Sequence, residues 1–281
     1  MFYLFLVSLL WAFSFSLIKG QLSQLDPLFV AFVRLTLAFL VFVPFYHWKR
    51  VKHQWPFVVI GAVQFGLMYI FYIYSYQWLL AYQVALFTIF TPIYVTLLAD
   101  LLQKRFQIIH FSGAVLAVLG TGIIFWQKLG QRPFLNGFLL VQLSNICFAF
   151  GQVLYRKIRH GSKSIKQEAQ IFAALYLGAV LITGMISAWA TDWSNIVLTK
   201  NQILTLIYLG IIASGMGFFL WNYGALKVNT GTLAIFNNLK IPLAIVVALL
   251  LFGESANLLR LASGGSLIGL ALWFNEKFAK G

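Results

Sequence analysis

Long apolar runs separated by short polar gaps occupy nearly the whole chain. A helix that crosses the hydrocarbon of a bilayer needs roughly 20 predominantly apolar residues. That length fits stretches near residues 2–18, 27–46, 56–78, 83–102 and 108–126, and again near 134–155, 168–190, 202–224, 229–251 and 258–275. The pattern predicts an all-α integral membrane protein with ten transmembrane helices. Its gaps are too short to hold a folded aqueous domain, so residues 1–281 read as one transmembrane domain. The opening run has no basic flank and no clear small-x-small cleavage site, which predicts a retained first helix rather than a cleaved signal peptide.

Composition supports lipid as the solvent: 61% of the residues are hydrophobic and only 9% are charged, far from the balance of an ordinary soluble domain. The net charge of +14 would suggest nucleic acid in a soluble protein, but the Lys and Arg residues lie in the gaps, where they act as topology signals. No nucleic-acid partner is expected. With the N-terminus in the cytoplasm, Lys49, Arg50, Lys104, Arg105 and the basic run from Arg156 to Lys166 fall inside, while the outside keeps Lys19, Lys128, Arg132, Lys200 and Arg260. That asymmetry predicts a multi-pass protein of the inner (plasma) membrane with both termini cytoplasmic.

The two halves of the chain look alike. Trp11 and Lys19 close the first span much as Phe148 and Arg156 close the sixth, and Pro92 in the fourth echoes Pro242 in the ninth. Gly113 with Gly120 is matched by Ala262 with Gly269. Residues 1–130 and 131–281 are thus predicted to be two repeats of five helices. An odd number of spans per repeat makes the second copy inverted, the arrangement that commonly builds alternating-access carriers with substrate near the midplane. Because one chain supplies both halves of such a cavity, a functional monomer is expected.

These features, with Pro27 and Arg34 in the second span and Gly253-Glu254 ahead of a glycine-rich last helix, resemble the ten-helix EamA-type branch of the drug/metabolite transporter superfamily over essentially the full length. The resemblance implies inner-membrane transport, often export, of amino acids, related metabolites or drugs. Two departures stand out. Gln103-Lys104-Arg105 occupies the place where the family often has Gly-Glu, and Lys240 replaces an apolar residue just before the ninth-span proline.

Candidate chemistry centres on charge inside the membrane. Arg34 lies seven residues into its span, about 10 Å along a helix axis, and Lys240 lies near the bilayer centre, where a charge costs about 3 kcal/mol or more unless paired or hydrated. All six acidic residues, Asp26, Asp100, Glu168, Asp192, Glu254 and Glu276, map to span ends or loops. Two basic residues without a midplane acid favour an anionic group on the substrate, most simply a carboxylate. Competing structural readings are that Arg34 snorkels or ties helix ends together, and that Lys240 is kept neutral or hydrogen-bonded to Asn237 or Asn238. Asn237 shares a helix face with Lys240 and is a further candidate ligand.

Pro92 and Pro242 each remove a backbone donor and predict helix kinks, with Thr88 and Thr91 adding hydroxyls beside the first. Tyr69, Tyr72 and Tyr76 form a stripe that either lines an aromatic cavity or packs helices, with Tyr76 and Trp78 then in the interfacial belt. Trp11, Trp221 and Asn222 are the remaining substrate-binding candidates. Gly265 and Gly269 suit close helix packing. Enzymatic chemistry finds no support: the four histidines lack metal-ligand spacing, Cys147 stands alone, and neither a carboxylate pair nor a Gly-Lys-Ser/Thr phosphate loop is present. No metal or cofactor is expected, and uphill transport would draw on a gradient.

The expectation is a secondary transporter that exports amino acids or related small carboxylates, with membrane lipid as its surroundings. An exporter of amines or cationic drugs is the alternative within transport, which the lack of a buried acid opposes. A membrane enzyme and a non-transporting assembly protein are the alternatives from other classes.

Overall fold

The computed structural model describes residues 2–46, 51–104, 119–120, 123–124, 132–159, 164–228 and 230–278. Among the described residues all regular structure is helical, a form that satisfies backbone hydrogen bonds within each segment, as lipid requires. Seven helices are long and apolar enough to cross a membrane: α1 (Phe2–Leu22), α2 (Pro27–Phe45), α3 (Gln54–Ser75), α4 (Ala81–Leu102), α5 (Pro133–Arg159), α6 (Ile165–Ala190) and α7 (Lys200–Ala225). Two more follow, α8 (Thr230–Leu251) and α9 (Leu258–Phe278). They meet nine of the predicted spans to within a few residues. The span predicted near 108–126 lies almost wholly outside the described residues, as do His47, His110 and His160.

Local sequence explains where the helices start. Pro27 opens α2, and the Asp26 carboxylate accepts the Phe29 amide at 2.7 Å, the pairing expected of an N-cap followed by proline. Thr199 and Gln202 form a reciprocal cap at the start of α7. The cap of α4 comes from far along the chain. Glu254, between α8 and α9, accepts the amides of Ala81 at 2.7 Å and Tyr82 at 3.0 Å, and its negative charge suits the positive end of the helix dipole. At the same end of the bundle Lys19 Nζ donates to the Tyr76 carbonyl at 2.7 Å.

Packing brings α1 against α7 and α8, α2 against α6 and α7, α3 against α5 and α6, and α4 against α5. The crossing of α3 and α6 is backbone to backbone: a Cβ on Gly61 would sit 1.8 Å from the Leu175 carbonyl oxygen, and one on Gly178 1.8 Å from that of Val58. The buried carboxylate of Glu168 accepts from Tyr155 and Arg159, joining the end of α5 to the start of α6.

Several helices depart from regular α geometry. Wide π-helical turns occupy Ile18–Leu22 in α1, Ala62–Leu67 in α3 and Tyr208–Met216 in α7. In α4 the chain tightens to a 3-10 turn over Thr88–Phe90, just ahead of Pro92, whose missing amide leaves the preceding turn short of a donor. Helix α8 runs through Pro242 as one element.

Candidate functional site

A cavity of about 570 Å³ of unfilled space, its opening included, lies between the helices and draws its lining from seven of them. Arg34 from α2 and Lys240 from α8 both reach it, although they are 206 positions apart in the sequence. Trp11, Phe15, Phe148 and Phe218 supply aromatic wall, with Tyr69 and Tyr72 beside them. Uncharged polar wall comes from Ser14, Thr88, Thr91, Ser144 and Asn145, and no Asp or Glu lines the cavity among the described residues.

Arg34 is 2% exposed. One guanidinium nitrogen, NH2, donates to the Tyr69 hydroxyl and to Ser214 Oγ, each at 3.1 Å. Those two oxygens lie 2.7 Å apart, and Ser214 Oγ also hydrogen-bonds the Leu209 carbonyl at 2.7 Å. Arg34 Nε and NH1 are buried without a hydrogen-bond partner. This is a planar, permanently charged group with donors left over, on the wall of a cavity.

Lys240 is also buried, and its ammonium lies 5.1 Å from the centre of the Trp11 ring, within cation–π range. The Trp11 ring packs at 4.8 Å from Phe218 and 5.0 Å from Trp221, and its Nε1 donates to the Ala213 carbonyl at 3.0 Å. The π-helical turn of α7 presents that carbonyl and also that of Ser214, which accepts the Tyr176 hydroxyl at 2.6 Å.

Thr91 Oγ1 donates to Asn145 Oδ1 at 3.1 Å, and Asn145 Nδ2 donates to the Phe87 carbonyl at 2.9 Å, in the last turn of α4 before its 3-10 break. The irregular turn therefore fixes the amide on the opposite helix.

Of the residues singled out in the sequence, Arg34, Lys240, Trp11, Tyr72 and Thr91 meet at this cavity. Tyr76 is buried beside it, its hydroxyl 2.7 Å from that of Tyr72, whereas Trp78 is exposed. Trp221 stands behind Trp11, and Asn222 is buried one residue on, with neither residue in the lining. The Asn237 backbone belongs to α8, and its side chain lies outside the described residues. Pro92 marks the break in α4, whereas Pro242 lies within an unbroken α8. Ser214, Ser144, Asn145 and Phe218 carry no sequence signal of their own. Each is an ordinary residue of an apolar span until its neighbours from distant segments are known.

The profile of the EamA-like transporter family matches residues 1–126 and 135–275. A probable biotin transporter of Pseudomonas aeruginosa is 39% identical over 279 residues, covering 98% of this chain and 96% of its own. The biotin transporter of Escherichia coli K12 is 37% identical over 281 residues, covering 98% and 92%. A probable amino-acid metabolite efflux pump of Salmonella typhimurium is more distant, at 24% identity over 283 residues, covering 96% and 92%. A crystal structure aligns over 100% of this chain and 97% of its own with a TM-score of 0.69 at 16% identity, a likeness of fold alone. With its apolar helices and its transporter relatives, the chain is an integral membrane protein and belongs to the EamA-like transporter family.

Proposed function

We propose that this protein is a secondary carrier for a small monocarboxylate with a largely apolar body, and that biotin is its substrate. The observation that carries the reading is the convergence of Arg34 and Lys240 on one aromatic cavity whose described lining holds no acid. Biotin joins a carboxylate, an aliphatic chain and an uncharged cyclic urea. In this reading the carboxylate meets Arg34 and Lys240, the chain and thioether ring lie against Trp11, Phe15, Phe148 and Phe218, and the urea is served by the hydroxyls of Thr88, Thr91 and Ser144. Relatives above 35% identity that are named biotin transporters support this choice.

A free amino acid fits less well. Its ammonium would enter a cavity that already holds two basic side chains and offers no carboxylate in return. The shared requirement is the substrate anion, and the distant amino-acid metabolite pump satisfies the same transport class without fixing the cargo.

Movement by alternating access of two inverted repeats, residues 1–130 and 131–281, belongs to the same proposal. The separate matches at 1–126 and 135–275 support it. So does the packing: α1 on α8 is answered by α5 on α4, and α2 on α7 by α6 on α3. The proposal includes an inner-membrane location with both termini cytoplasmic and a single chain as the working unit.

The test is uptake of radiolabelled biotin into proteoliposomes holding the purified protein, with unlabelled competitors. Biotin should enter faster than into empty liposomes, and excess biotin should compete where its amide and leucine do not. Exchange of amino acids without exchange of biotin would overturn the reading.

A further inference from the structure

The polar cluster around Arg34 has a direction that follows from counting its protons. Ser214 has one hydroxyl hydrogen, which goes to the Leu209 carbonyl five residues earlier across the wide turn of α7. Its oxygen therefore only accepts, from Arg34 NH2 and from the Tyr69 hydroxyl. Tyr69 spends its hydrogen on Ser214, so its oxygen accepts from Arg34 as well. Both hydroxyls thus present lone pairs to the arginine, and neither presents a hydrogen to an incoming anion.

NH2 is common to both two-pronged edges of a guanidinium, the one with Nε and the one with NH1. With NH2 taken by Tyr69 and Ser214, three of the five donors remain for other use. Those three are the hydrogens on Nε and NH1, the atoms that are buried without a partner.

We propose that Ser214 is a positioning residue for anion recognition: from the second half of the chain it fixes the Arg34 guanidinium of the first half, so that one of the two diverging donors, Nε or NH1, is left to meet the substrate carboxylate through a single charge-assisted hydrogen bond. The inference rests on the carboxylate reading above. Ser214 does not line the cavity and acts through Arg34. A regular α-helical turn over Tyr208–Met216 would rotate the following residues away from this register, so the irregularity of α7 is what aims the hydroxyl. Tyr176 steadies the same turn by donating to the Ser214 carbonyl from α6.

The experiment measures equilibrium binding of radiolabelled biotin to the purified protein in detergent, with biotin and biotinamide as competitors, for wild type, Ser214→Ala, Tyr69→Phe and the double variant. Wild type should prefer the acid to the amide. In Ser214→Ala that preference should fall by about ten-fold, the scale of one hydrogen bond to a charged group, and the double variant should lose little more, because the two hydroxyls act as one chain. A general loss of packing would weaken both ligands alike and leave the ratio intact. That result, or an unchanged or increased preference in Ser214→Ala, overturns the positioning role. A wild-type protein that binds acid and amide equally overturns the carboxylate reading itself and this inference with it, which separates the two failures.

Discussion

Arg34 and Lys240 share a cavity but are held in different ways. The arginine is held at one nitrogen by hydroxyls from α3 and α7 and lies 4.7 Å from the centre of the Tyr69 ring, so its plane is set before any ligand arrives. The lysine projects from α8 toward the face of Trp11, a contact that is tolerant of angle. One group is a fixed fork with some prongs engaged, the other a point charge on a flexible stem. The difference teaches that two positive charges in one lining are not two copies of one role. In the carboxylate reading proposed above, Arg34 orients the anion and Lys240 attracts it.

Substitutions can break or sharpen that contrast. The largest effect belongs to Arg34→Ala, which should lower biotin uptake in proteoliposomes by about a hundred-fold, as loss of a buried charge-assisted contact does. Tyr69 and Ser214 then face an empty space, so folding should be checked by elution in detergent. Lys240→Ala comes next, with about a ten-fold loss that appears mainly in KM, since attraction without orientation is uniform binding. A larger loss for Lys240→Ala than for Arg34→Ala would reverse the assignment. The exchange of charge types is a finer probe: Lys240→Arg should retain about a third of wild-type uptake, and Arg34→Lys should recover little over Arg34→Ala, because an ammonium cannot keep both hydroxyls and a carboxylate in one plane. Smallest is Trp11→Phe, expected to raise KM about three-fold, since phenylalanine keeps an aromatic face but offers a weaker one and loses the bond to Ala213.

The two cations were legible in the sequence because lipid makes charge conspicuous. Arg34 and Lys240 interrupt apolar runs, and the position of each along its span alone marks it as a candidate. The helices were legible for a related reason, since a helix that crosses a bilayer needs a long apolar run. What was not legible is rotation about each helix axis. The stripe Tyr69, Tyr72, Tyr76 reads as one face, yet the first two line the cavity while Tyr76 stays beside it, its hydroxyl bonded to that of Tyr72. Trp221 packs against Trp11 without joining the lining, and Asn222 is buried outside it. Ser214 is a single small polar residue between Ala213 and Gly215, indistinguishable by composition from a packing serine. Only the π-helical turn and two partners more than a hundred residues away give it a task.

Glu254 can be followed one step further. Its carboxylate holds the first two amides of α4, and Lys19 holds the Tyr76 carbonyl at the same end of the bundle. All of these are groups that water satisfies well, so parting them exchanges bonds rather than abandoning them, at a net cost of about 1.5–3 kcal/mol for each of the three bonds to a charged group. Built from a carboxylate, an ammonium and backbone groups, this joint ties the end of α3 and the start of α4 to α1 and to the α8–α9 connection through hydrogen bonds that water can replace, rather than through apolar packing.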